Sequence, residues 1–244
     1  TNFAMSGIDK RYMGLELGLS VPIAWGLSLQ GAVSLGDYIY TSNPEFTQMI
    51  DNSATDVVHS RVNWKGMKVE STPQTAINVG LNFRGPNNWF ASVDFNYYDR
   101  LYLSMNPMYR TEYLANEIKR IYDWNNLETG RQKAYVVGII DEIRQQEDLG
   151  NAYTLSASIG KNFRIKYKYT LGFSLQVNNI LNNQRIRTGG YEQMRLNKLS
   201  DPIIFPNADG EMVITKKPTT YSRFDSKYFY MNGINYYLNI YFRF

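Results

Sequence analysis

Cysteine is absent from the 244 residues, which removes disulfides, thiolate metal ligands and cysteine nucleophiles together. Histidine is nearly absent too. His59 stands alone, so neither a multi-histidine zinc site nor a Ser/His/Asp group has material to build on. No apolar run approaches the roughly 18 residues of a membrane-spanning helix, and mean hydropathy is −0.41. A transmembrane β-barrel stays open, because its strands alternate apolar with polar residues and average to a hydrophilic value. The opening Thr1-Asn2-Phe3-Ala4-Met5 has no basic or apolar leader region, which suggests a leader already removed or the later part of a longer chain. No G-x-S-x-G, Walker or G-x-G-x-x-G pattern occurs, so catalysis has no constellation and no cofactor is indicated. The 26 Lys+Arg against 22 Asp+Glu give a net charge of +4, spread along the chain. That balance does not indicate a nucleic-acid partner.

What the sequence has is aromatic residues, 15% with 20 Tyr and 12 Phe, and alternation of period two. Met13, Leu15, Leu17, Leu19 and Val21 interleave with Gly14, Glu16, Gly18 and Ser20. Leu27, Leu29, Val33 and Leu35 oppose Ser28, Gln30, Ala32 and Ser34. The same reading holds for Ile77–Phe83, Trp89–Tyr97, Tyr153–Ile159, Leu171–Val177 and Tyr236–Phe244. These are about seven strands of half-buried character. The polar sets are Gly, Ser, Asn and Gln rather than the Lys, Glu and Thr of a solvated sheet. Small polar side chains suit a crowded, hydrated barrel interior. Trp25, Trp89, Tyr97, Tyr98 and Tyr236 fall near strand ends, the positions of an aromatic girdle at the lipid headgroups.

The connections alternate in length. Pro22–Trp25, Gly85–Asn88 and Arg164–Lys168 are short, whereas Thr41–Trp64, Ser104–Gly150 and Asn182–Tyr228 are long. A soluble sandwich, the rival reading, has no reason to gather every long loop at one end. An outer-membrane barrel does, with short periplasmic turns and long extracellular loops. Within the second long loop, Tyr113–Tyr122 and Ala134–Ile143 carry apolar residues at helical spacing and read as short surface helices. The fold class is therefore all-β: a transmembrane antiparallel up-and-down β-barrel segment, in a multi-pass outer-membrane protein. Single-chain bacterial barrels close with even strand numbers. An odd count predicts that residues 1–244 are the C-terminal part of a larger barrel, with residues 1–10 in an extracellular loop.

Three stretches carry a family likeness. They are Phe173-Ser174-Leu175-Gln176-Val177-Asn178-Asn179-Ile180-Leu181-Asn182-Asn183, then Thr188-Gly189-Gly190-Tyr191-Glu192-Gln193, and Tyr228-Phe229-Tyr230 with Tyr236–Phe244. Together they resemble the C-terminal end of TonB-dependent outer-membrane receptors, nearest to the SusC-like receptors of Bacteroidetes. The resemblance implies a barrel of about 22 strands around a plug that lies outside this chain. It also implies nutrient import driven by the TonB system, and outer-membrane lipid as surroundings. Phe242 and Phe244 would be the C-terminal barrel-assembly signal. The substrate stays open among glycan, peptide and metal chelate. A second reading is a receptor-like scaffold for a surface lipoprotein or a secretion or assembly complex, motivated by the helical loop. An outer-membrane hydrolase is a third, which the residues do not favour.

Candidate site residues are few. Glu16, Arg84 and Asp94 fall on the lumen-facing set and are candidate substrate or plug contacts; the reading the residues favour is that the two acids pair with Arg84 or Arg243 across the wall. His59, beside Asp56 and Arg61, reads as a solvated loop residue rather than a metal ligand. Asp141-Glu142 and Glu147-Asp148 lack calcium-loop spacing. Asp201-Pro202 and Asn207–Gly210 read as turns, and Lys161, Arg164, Lys166 and Lys168 cluster at a short turn.

Overall fold

The computed structural model describes residues 2–49, 57–166, 168–199, 203–206, 209–215 and 220–244. Seven strands form its main sheet: β1 (Lys10–Ala24), β2 (Leu27–Tyr40), β3 (Thr75–Arg84), β4 (Trp89–Asp99), β5 (Ala152–Ile165), β6 (Tyr169–Asn178) and β7 (Asn235–Arg243). Each covers one of the seven alternating runs, β7 stopping one residue short at Arg243. They lie side by side in chain order, every pair antiparallel. The result is an up-and-down meander with two open edges, β1 and β7, whose residues are all exposed. No closed barrel forms among the described residues.

Register sorts the side chains cleanly, because residues directly opposite one another share a face. Glu16 faces Ser34, Asn78 faces Asn96, Asn96 faces Thr154, and Ser158 faces Gln176. These belong to the polar face. Leu81 faces Val93, Ala91 faces Ile159, and Ile159 faces Leu175 on the apolar one. The six buried positions of the meander, Gly36, Tyr40, Gly80, Thr154, Gly160 and Gly172, all lie on the polar face. That face is therefore the crowded, concave side.

Glycine is needed there. A Cβ on Gly160 would strike the ring of Phe90, its partner in register, and the carbonyl oxygen of Phe173 at 2.6 Å. A Cβ on Gly172 would strike Tyr241 in the same way.

The hydrophobic core is elsewhere. It sits in a cap built from the described parts of the long connections between strands, within residues 41–74, 100–151 and 179–234. One cluster joins Tyr40, Phe46, Val62, Trp64, Val69 and Met105. The other lies between helices α1 (Glu112–Ile121) and α2 (Gly130–Arg144). Both helices begin where the sequence gives a cap. Thr111 accepts from the amide of Leu114, and Thr129 forms a capping box with Gln132. Residues 2–6 belong to this end as well: Asn2–Ser6 pairs with Glu45–Met49, which pairs with Val57–Arg61.

The opposite end has only tight turns. At Trp25-Gly26 both residues have positive φ, 46° and 82°, a hairpin geometry that favours Asn-Gly. Trp25 adopts it with its side chain 96% exposed at the tip. In the turn at Gly85–Asn88, Asn87 and Asn88 both have positive φ, 55° and 59°, a region that Asn tolerates better than most residues.

Candidate functional site

The apolar face is bare. Fourteen large side chains on the inner strands, among them Leu29, Val79, Leu81, Val93, Phe95, Ile159, Phe163, Leu171 and Leu175, are 37–48% exposed. No position on that face of β2–β6 is buried. A soluble monomer's largest apolar patch is about 300–600 Å², which fourteen such side chains exceed. The accessible surface is 15567 Å², against about 11,200 Å² for a folded soluble chain of this mass.

Aromatic rings border the bare face at both ends. At the turn end Phe163 stacks on Phe173, Trp89 meets Phe173 edge-on, and Tyr169 stacks on Phe242. At the cap end Phe95 stacks on Tyr153, with Tyr97 opposite Tyr153 in register. Trp89 and Tyr97 are about 27 Å apart along β4. Tyr98 does not join this belt. It follows Tyr97 directly, so it points to the polar face, opposite Ala76 and Ala152.

The concave face is a hydrogen-bonded polar sheet. Asn78 donates to Asn96 at 2.8 Å, Ser92 meets Ser158 at 2.9 Å, Gln176 donates to Asn178 at 2.9 Å, and Tyr241 donates to Asn162 at 2.7 Å. A concavity of about 830 Å³ lies near the turns, lined by Gln30, Asn82, Arg84, Asn88, Phe90 and Asn162 among others. A second of about 440 Å³ holds Glu16, Ser34, Asn78, Asn96 and Tyr98. Neutral amides and hydroxyls backed by aromatic rings can bind a polar, uncharged solute through many weak bonds.

The three candidates on this face do not converge. Glu16, on the edge strand, accepts from Ser34 at 3.4 Å. Asp94 accepts from Ser92 at 3.1 Å and lies over Gly80. Arg84 borders the larger concavity near the turns. Among the described residues no ion pair joins Glu16 or Asp94 to Arg84 or Arg243; neighbouring hydroxyls take that role.

His59 meets Thr47 through Nδ1 at 3.1 Å, and Arg61 pairs with Glu45 at 3.3 Å. Asp56, Asp201, Pro202, Asn207 and Ala208 lie outside the described residues. No group of three His, Asp or Glu among the described residues is placed to hold a metal ion. Glu147 works within the cap instead, accepting from Tyr228 Oη and from Ser226 Oγ at 2.8 Å.

Sequence reading missed the cap's main polar joint. Glu192 is buried and takes both guanidinium nitrogens of Arg110, at 2.5 and 2.8 Å, with Arg223 at 2.9 Å and the amide of Asn106 at 2.7 Å. The only signal for it is a lone Glu within the Thr188–Gln193 stretch. No family model and no curated protein sequence matches this chain.

Proposed function

We propose that the chain supplies part of the wall and outer loops of an outer-membrane receptor that imports a nutrient with energy from the TonB system. The observation that carries this reading is the bare apolar face, bordered by aromatic rings, on a sheet whose concave side is polar. Water makes that face costly and lipid makes it stable. The open edges fit the same reading. In a bilayer, unpaired edge amides and carbonyls cost several kcal/mol each, so β1 and β7 require further strands as neighbours.

In this account the cap captures the solute and the amide-lined concave face conducts it past a plug. Glu16, Asp94 and Arg84 act as separate polar contacts along the wall. Phe242 stacks on Tyr169 within the aromatic border, a position compatible with an assembly signal that is also a girdle residue.

The scaffold reading rested on helices in need of a partner. In the cap, α1 and α2 bury Leu114, Ile118, Val136, Ile140 and Ile143 in one shared cluster, so that need is met within the loop.

Deleting the receptor in its native host tests the proposal, with uptake of labelled oligosaccharides, oligopeptides and metal chelates as the readout. Loss of one class, reproduced by removing TonB, is the expected result. Unchanged uptake of all three contradicts it.

A further inference from the structure

Charge is divided along the strand axis. The turn end comprises residues 20–30, 80–92, 158–174 and 238–244. It holds six of the 26 Lys+Arg, namely Arg84, Lys161, Arg164, Lys166, Lys168 and Arg243, and none of the 22 Asp+Glu. At the cap end cations find carboxylates: Asp37 takes Arg11 at 3.2 Å and Lys68 at 2.7 Å. At the turn end the sequence offers them no Asp or Glu side chain.

Three of the six sit where lipid would reach them. Lys161 belongs to the apolar face, opposite Trp89 and Phe173 in register. Its Nζ lies 4.7 Å from the ring centre of Trp89 and 4.9 Å from that of Phe163. Lys168 lies over Tyr169 at 5.4 Å, and Lys166 is exposed in the same turn. A lysine on a lipid-facing strand surface is tolerated only near the interface. There its stem lies on apolar rings while the ammonium reaches the headgroup level. The aromatic rings fix the stem, and the lack of Asp and Glu leaves the charge for an outside anion.

We propose that Lys161, Lys166 and Lys168 form a binding site for the phosphate of an anionic phospholipid in the leaflet at the turn end. The proposal rests on the membrane reading above and adds the lipid class to it. A phospholipid fits better than an acidic protein because Lys161 projects from the apolar face itself, between aromatic side chains that would contact acyl chains. Arg84, Arg164 and Arg243 lie on the polar face and are not part of this site.

The test uses the intact protein from its native membrane, reconstituted in phosphatidylcholine vesicles with trace spin-labelled phosphatidylglycerol or phosphatidylcholine. Electron paramagnetic resonance then reads the motionally restricted lipid. We expect phosphatidylglycerol to be preferred, and the preference to fall about fivefold per lysine removed in the series Lys161→Gln, Lys166→Gln and Lys168→Gln. Arginine at the same positions should preserve it. Restricted lipid without headgroup preference, or a preference unchanged in the glutamine variants, overturns this proposal alone. A preference abolished by excess inorganic phosphate assigns the site to free phosphate and overturns the lipid. Capture of an acidic protein through these lysines, with no lipid preference, does the same. Absence of any restricted lipid overturns the membrane reading with it.

Discussion

Arg110 and Glu192 are 82 residues apart in sequence and form a bidentate pair that is fully buried in the cap. Arg110 also donates to the carbonyl of Gln145 at 3.0 Å, and Arg223 reaches the same glutamate. One carboxylate thus ties the second long connection to the third. Replacing Glu192 with Ala leaves a buried guanidinium without its counter-charge, which costs about 3–5 kcal/mol. We predict that Glu192→Ala accelerates amide hydrogen exchange across residues 104–150 and 186–193 while leaving β3–β6 protected. The double change Arg110→Met with Glu192→Leu should recover much of that protection.

Buried and half-buried phenols, Tyr102, Tyr109 and Tyr228 among them, make the cap sensitive to alkali. Burial raises the pKa of Tyr109, and burial together with the hydrogen bond and charge of Glu147 raises that of Tyr228. The protonated phenol is the form the folded cap favours. This contribution is complete below the free phenol's range near about pH 10 and is lost as pH rises through the elevated folded values. Absorbance near the tyrosinate band should show phenols that ionise late, Tyr109 and Tyr228 among them, with one fewer in Tyr228→Phe. Titration of both at the free value would contradict the packing.

Gly160 and Gly31, on opposite faces, should respond oppositely to alanine. At Gly160 the added carbon meets the Phe173 carbonyl oxygen at 2.6 Å, a backbone atom that cannot step aside. Gly160→Ala should cost about 1–3 kcal/mol. Gly31, on the apolar face, has nothing within 4 Å. There alanine should be neutral or gain about 0.5–1 kcal/mol. Urea unfolding in detergent micelles measures both.

The meander was legible because period two is a local signal. Each run from Met13–Val21 to Tyr236–Phe244 states which residues share a face, and antiparallel register preserves that sorting. The helices were legible for the same reason, from apolar spacing, while the caps at Thr111 and Thr129 emerged only with the structure. The cap was not. Its joint between Arg110 and Glu192 depends on two long loops meeting, and nothing near either residue specifies the other. Glu16, Arg84 and Asp94 share a face, yet their separation across the sheet appeared only with the register. Tyr98 shows a simpler limit: two adjacent tyrosines cannot both lie on the same face of one strand.

The most direct test of the central claim uses the absence of native cysteine. Single cysteines replace consecutive residues 91–96 of β4 and 156–161 of β5 in the intact protein, each then spin-labelled and reconstituted in vesicles. Collision rates with oxygen report lipid, and those with a water-soluble nickel chelate report solvent. Labels at Val93, Phe95, Ile159 and their face-mates should be oxygen-accessible. Labels at Ser92, Asp94, Ser158 and theirs should be chelate-accessible, with a strict period of two. Chelate access on both faces, or no alternation, would contradict a lipid-facing wall.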